Sequence, residues 1–172
     1  VVERSGEASY LKVDISKFFD KTYTLEQGYV EGGDILRINN HFIIGISGRT
    51  NETGAKNLSN IIEKNGGTSE IAITPENTLH FKSECSLLDE ETILATDNLI
   101  KSDFFNKKYR IIKVPKGEET GANCLRINEH LLIPKGYDRL LDLVSKDYKV
   151  RVLDVTEMEK VDAGLSCLSL RW

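Results

Sequence analysis

Cysteine, proline and histidine are all scarce in this 172-residue chain, with three of each. Cys85, Cys124 and Cys167 stand far apart, and none belongs to a C-x-x-C pair, which argues against a zinc knuckle or a redox dithiol. Free thiols at such spacing suit a reducing, cytoplasmic setting. The histidines never fall at ligand spacing with the cysteines, so zinc is unsupported. No apolar run approaches the roughly 18 residues that span a bilayer. Basic residues are not in excess either: 23 against 27 acidic ones gives a net charge of −4, with the signs mixed along the chain. Neither a membrane nor a nucleic acid is therefore expected as a partner. A phosphate-binding loop is excluded too. In "SGRTNETGAKN" five residues separate Gly48 from Gly54, and Ala55 follows where Lys-Ser/Thr is required.

What is present is a repeat. "EGGDILRINNHFIIGIS", "TNETGAKNLSNIIEKNGG" and "EIAIT" read as strand–turn–strand, helix, strand. "HFKSECSLLDEETILAT", "NLIKSDFFNKK" and "YRIIKV" follow the same order, as do "GANCLRINEHLLIP", "GYDRLLDLVSKD" and "YKVRVLDV", at a period of roughly 45 residues. In the first helix Ala55, Leu58, Ile61 and Ile62 share a face, Thr50 or Asn51 can cap the start, and Gly66-Gly67 can end it. Pro75, Pro115 and Pro134 each close a strand-like run. One such unit cannot bury its own sheet, but units packed around an axis can, so the repeats point to a radial α/β arrangement. The segment before Glu31 and a closing strand around Cys167 are then expected to be parts of incomplete units. The opening "VVERSG" reads as the middle of a strand, and preceding sequence is expected.

Several side chains are candidates for chemistry. His41 and His130 occupy equivalent repeat positions and are structural on that ground. His80 opens a strand that the repeat would begin with a small or acidic residue, leaving an acid/base role and a packing role both open. Glu31 and Asp34 flank a glycine pair, a pattern that often marks a close backbone approach near a site. Arg49 follows small residues at a strand end, where a guanidinium can clamp a carboxylate. Cys85 and Cys124 lie in apolar strands as packing residues. Cys167, in "EKVDAGLSCLSLRW", reads on its own either as strand filler or as a reactive thiol. In a radial fold the equivalent strand ends that carry Glu31, Arg49, His80 and Cys167 converge on the axis.

The ordered motifs "EGGDIL", "HFIIGISGRTN", "LHFKS", "ANCLRIN" and "EKVDAGLSCLSLRW" resemble the dimethylarginine dimethylaminohydrolase family, within the guanidino-group-modifying (amidinotransferase, or pentein) superfamily. The resemblance runs over nearly the whole chain. It implies a five-bladed α/β propeller of repeated ββαβ units, with about three complete units here and parts of others. Residues 1–172 would form one domain, the C-terminal two-thirds of that propeller. Residues 1–30 would end a preceding blade, and 31–171 would hold three blades and the closing strand.

The resemblance also implies roles. Cys167 would be the nucleophile, His80 the general acid/base, and Glu31 the acid that orients it. Arg49 would hold the substrate's α-carboxylate, Val161 would contact substrate through its backbone, and Asp34 is grouped with the substrate-binding residues. A thiolate suits the poorly electrophilic guanidinium carbon. The implied reaction cleaves an N-methylated arginine to citrulline and a methylamine through a covalent S-alkylthiouronium, with no metal and no cofactor. Alternatives of related fold are an arginine or other guanidine deiminase, or a non-catalytic pentein that binds without reacting. The His80-Phe81-Lys82 sequence favours the dimethylarginine branch over enzymes with His-x-Asp. A homodimer would be in keeping with the family. Two departures stand out. The family's upstream Phe-Val-Glu-Asp segment, which binds the guanidinium, is not in this sequence, and Tyr10 stands where the family has a second arginine. The chain alone is therefore expected to be inactive or very weak.

Overall fold

The computed structural model describes residues 17–102, 104, 105 and 108–169. Tyr10 and the opening "VVERSG" lie outside the described residues. Three copies of one unit follow each other. The first is β1 (Ile35–Ile38), β2 (His41–Ile46), α1 (Glu52–Lys64) and β3 (Thr68–Ile73). The second is β4 (Cys85–Leu87), β5 (Thr92–Ala95), α2 (Asp97–Lys101) and β6 (Arg110–Lys113). The third is β7 (Leu125–Ile127), β8 (His130–Pro134), α3 (Asp138–Val144) and β9 (Lys149–Leu153), after which comes the short α4 (Thr156–Glu159). Each unit makes its own three-stranded sheet, with the second strand in the middle, antiparallel to the first and parallel to the third. These are the expected ββαβ blades of a pentein α/β propeller.

Local chemistry sets these elements. The hairpins β1–β2 and β7–β8 turn through Asn39 (φ 55) and Asn128 (φ 53), and asparagine tolerates that left-handed backbone. In both, an arginine braces the turn: Arg37 Nε donates to Asn39 O and Arg126 Nε to Asn128 O, each at 2.9 Å. His41 and His130 open the central strands in the same register, opposite Ile38 and Ile127. Asn51, rather than Thr50, caps α1 by accepting from Gly54 N at 2.8 Å. Past the helix end Gly66 (φ 83) turns the chain and Gly67 N returns to Ile62 O at 3.0 Å.

The central strands are apolar on both faces because both faces are covered. Ile43 packs with Phe81, Cys85 and Ile93 of the second blade, while its neighbour Ile44 packs under α1 with Ala55 and Ile62. Leu94 repeats this against the third blade, with Leu131, Ile133, Leu140 and Val144. Each fully buried Leu or Ile contributes about 1.5–3 kcal/mol relative to exposure. Among the described residues no helix is long and apolar enough to cross a membrane.

A 3-10 turn precedes the first strand of every blade: Gly32–Asp34, Phe81–Ser83 and Glu119–Ala122. A fourth, Leu165–Leu168, follows α4. This corrects two expectations. His80 does not open a strand; it is extended (φ −141, ψ 156) and leads into the turn Phe81–Ser83. Cys167 does not sit in a closing strand. Cys167 N donates to Gly164 O at 3.0 Å and Ser169 Oγ donates to Ser166 O at 3.0 Å, so local bonds replace a ladder there.

Candidate active site

The residues just ahead of the four turns are Glu31, His80, Glu118 and Gly164. The turns lie in a row. Asp34 of the first bonds the amide of Phe81 in the second, the second touches the third, and Asn123, at the end of the third, bonds Ser166 in the fourth. Equivalent positions of successive blades are thus brought side by side, as an axial arrangement requires.

At the first two positions stand Glu31 and His80. Glu31 Oε2 lies 3.4 Å from His80 Nε2 and 3.7 Å from Arg49 Nη1. All three side chains are largely shielded, His80 the most, at 14% exposed. The imidazole rests on Gly33, where a Cβ would come within 2.6 Å of His80 Cγ. The close approach expected of the glycine pair is therefore made by Gly33. Arg49 is delivered by a tight turn after β2, in which Ser47 N and Thr50 O bond at 3.0 Å.

At the third position Glu118 faces away. Its Oε2 accepts from Leu140 N at 2.8 Å and its Oε1 from Arg139 Nε at 3.1 Å, so it caps α3. Burial opposes its ionised form, but these bonds outweigh burial and hold its carboxyl below the ordinary value.

The fourth turn carries Cys167, which is exposed. Leu165 anchors this turn in a small core with Leu125, Val155 and Leu132. Ser166 N donates to Asn123 Oδ1 at 2.9 Å, and the Asn123 amide lies where a Cβ on Gly164 would project. Val161 precedes this turn and is exposed; its amide donates to Met158 O at 3.0 Å, which leaves the carbonyl for any backbone contact. Cys167 and Val161 come from a separate segment, two turns further along the row than His80.

The other two thiols are sealed. Burial pushes the Cys85 thiol far up, and the same cause pushes Cys124 up to about 12. Their sulfurs face the carbonyls of Phe81 and Gly121, at 3.7 and 3.0 Å. A nucleophile needs a thiolate with access, and only Cys167 of the three is exposed.

One expected role is corrected. Asp34, grouped with the substrate-binding residues, is 0% exposed. Its carboxylate accepts from Ser47 Oγ (2.8 Å), Thr50 Oγ1 (2.6 Å) and Phe81 N (2.8 Å), so it is committed to the protein interior. Sequence reasoning also passed over Asn123, whose only sequence signal is its place just before the third blade's first strand. Among the described residues no group of three His, Cys, Asp or Glu could hold a metal ion.

Comparison with known proteins adds to this geometry. The arginine deiminase family model matches residues 10–132, a span containing Glu31, Arg49 and His80. The chain is 34% identical over 172 residues to the N(G),N(G)-dimethylarginine dimethylaminohydrolase of Pseudomonas aeruginosa, covering 98% of this chain and 67% of that one. It is 30% identical over 151 residues to the protein of the same name from Streptomyces coelicolor, covering 85% of this chain and 55% of that one. A solved structure of the Pseudomonas aeruginosa enzyme, a cysteine-to-serine mutant complexed with citrulline, superposes with a TM-score of 0.80 at 35% identity. That superposition covers 86% of this chain and 57% of that chain. The present chain thus spans between about half and two thirds of these relatives.

Proposed function

The chain belongs to the arginine deiminase family, alongside its dimethylarginine dimethylaminohydrolases, and from that premise we propose that the whole protein hydrolyses an N-methylated arginine to citrulline and a methylamine. The observation that carries the reading is the convergence of His80 and Arg49 on the Glu31 carboxylate, with Cys167 as the single exposed thiol.

The residues divide the chemistry as follows. The Cys167 thiolate attacks the guanidinium carbon and forms a C–S bond. His80 gives a proton to the methylated nitrogen, the C–N bond breaks, and dimethylamine leaves. A covalent S-alkylthiouronium remains. His80, now without that proton, takes one from water, the hydroxide adds to the same carbon, and the C–S bond breaks to return the thiolate and release citrulline. Because Nε2 faces Glu31, Nδ1 is the nitrogen for proton transfer with substrate. Glu31 fixes that tautomer and supports the cationic ring, as the acid of a triad does. Catalytic hydrogen bonds are often long in a site without substrate, and 3.4 Å between Glu31 and His80 fits that state.

Arg49 carries five N–H donors in a planar fork, so pairing with Glu31 is compatible with clamping an amino-acid carboxylate. The Val161 carbonyl suits a cationic α-amino group. His80-Phe81-Lys82, in place of His-x-Asp, supports the dimethylarginine branch over arginine deiminases. Three free cysteines support a cytoplasmic location.

The test is citrulline release from dimethylarginine, arginine and agmatine by the protein extended to the length of its relatives. Release from dimethylarginine that disappears in Cys167→Ala is the expected result. No turnover of any guanidine would sink the reading, and turnover of arginine alone would move the protein to the deiminase side.

A further inference from the structure

The interior holds one carboxylate to which the backbone at Glu31, at Arg49 and next to His80 is tied. Thr50 Oγ1 accepts from Glu31 N at 3.0 Å and donates to Asp34 Oδ2 at 2.6 Å. Ser47 Oγ accepts from Arg49 N at 2.9 Å and donates to the same Oδ2 at 2.8 Å. Asp34 Oδ1 accepts from Phe81 N, next to His80, at 2.8 Å. Asp34 N donates in turn to Glu31 O at 2.9 Å. Asp34 and Thr50 are both 0% exposed.

The directions of these bonds are fixed. A backbone N–H can only donate, so each hydroxyl that accepts from one has its own hydrogen directed at Asp34. Asp34 must accept at all three contacts, which a carboxylate does with its several lone pairs. An asparagine cannot. With its oxygen toward Phe81 N it would point N–H groups at two hydroxyl hydrogens; reversed, it would oppose the Phe81 amide. In a buried network such a mismatch is not relieved by water.

We propose that Asp34 is a positioning residue for the reaction, setting the mutual geometry of Glu31, Arg49 and His80 through Thr50, Ser47 and Phe81. The proposal rests on the activity given above. It also divides the work: the Thr50 arm serves the acid beside His80, while the Ser47 arm serves the carboxylate clamp.

The experiment uses the full-length protein and four variants, Asp34→Asn, Ser47→Ala, Thr50→Val and Thr50→Ser. Active sites are titrated with a chloroacetamidine, so that kinetics are expressed per reactive Cys167. Asp34→Asn is expected to lower kcat per titrated site on the order of 100-fold, the scale of an ångström-sized misplacement, and to raise KM. Ser47→Ala is expected to raise KM more than it lowers kcat, and Thr50→Val to lower kcat more than it raises KM. Thr50→Ser, which keeps the hydroxyl, restores most of the loss seen with valine. A merely structural Asp34 would lower the melting temperature or the titre and leave kcat and KM per site as in the wild type, and that result overturns the proposal.

A second readout needs no turnover. The His80 imidazole resonance, assigned by its loss in His80→Gln, should move in Asp34→Asn while those of His41 and His130 stay in place. Absence of turnover in the wild type counts against the proposed activity, whereas an unmoved His80 resonance counts against the positioning role.

Discussion

Glu31 Oε2 and His80 Nε2 lie 3.4 Å apart, and neither atom has a hydrogen-bond partner among the described residues. Buried polar atoms without partners are uncommon, and each calls for an explanation in function or strain. Here the two face each other across blades one and two, with Arg49 beside the carboxylate. If the acid orients the imidazole, Glu31→Gln keeps the shape but not the charge, and kcat should fall within the 100- to 10,000-fold range typical of acid–base groups. KM should change far less. Equal kcat in the two proteins would remove Glu31 from the mechanism.

The thiols give a test that separates position from chemistry. Cys85 and Cys124 are buried and hold their protons, whereas Cys167 is exposed. Iodoacetamide at about pH 8, where an accessible thiol is partly ionised, should modify one cysteine in the folded protein and three after denaturation. Mapping the label to Cys85 or Cys124 would contradict the burial of those two.

The same two thiols set a pH dependence of stability. Their folded pKa values lie above the ordinary 9.0, so the unfolded chain releases protons that the folded chain keeps. This contribution is complete below pH 9 and is lost as pH rises through the folded values. Cys124→Ala should therefore show a shallower decline in melting temperature between pH 9 and 11 than the parent. A parallel decline in both proteins would show that this thiol does not contribute.

How much of this was legible in the sequence differs from residue to residue. The three blades were, because their strands and helices follow periodicities that tertiary packing then uses: Ile43 and Ile44 alternate faces, and Asn39 turns its hairpin as its type predicts. Residue type and spacing alone do not distinguish Glu31 from Asp34, since both are acids beside the glycine pair, and only the family resemblance gives them different roles. Only the fold shows that one points to His80 and the other to two hydroxyls and an amide. The segment around Cys167 does not form the expected strand, because so short a mixture of leucines and serines carries no reliable period, and Ser169 bonds the Ser166 carbonyl locally. Asn123 carries no signal beyond its place before a strand, because its partner, the Ser166 amide, is 43 residues away.

The glycine pair offers a matched comparison. A Cβ on Gly33 would stand 2.6 Å from His80 Cγ and 2.9 Å from its Nδ1, while a Cβ on Gly32 would meet nothing within 4 Å. Neither glycine has a positive φ, so alanine is not excluded by backbone conformation at either position. Gly33→Ala should displace the imidazole and lower kcat by about 100-fold with the circular dichroism of the fold retained. Gly32→Ala should behave as the parent. Equal activity of the two variants would show that the imidazole does not depend on Gly33 for its place.

The turn bearing Cys167 depends on the neighbouring blade in the same way that His80 depends on Asp34. Asn123 Oδ1 is the acceptor for Ser166 N, one residue before the thiol, and the Asn123 amide packs against Gly164. Asn123→Ala removes that hydrogen bond, at a cost of about 0.5–1.5 kcal/mol, and opens space beside Gly164. Cys167 is already exposed, so its reaction with iodoacetamide should change little. Citrulline release requires the sulfur at one place, so kcat should fall while labelling persists, and Asn123→Asp, which keeps the acceptor oxygen, should retain more activity than alanine. Loss of labelling and of turnover in proportion would indicate a damaged fold, and an unchanged kcat would show that the nucleophile's turn holds its position without Asn123.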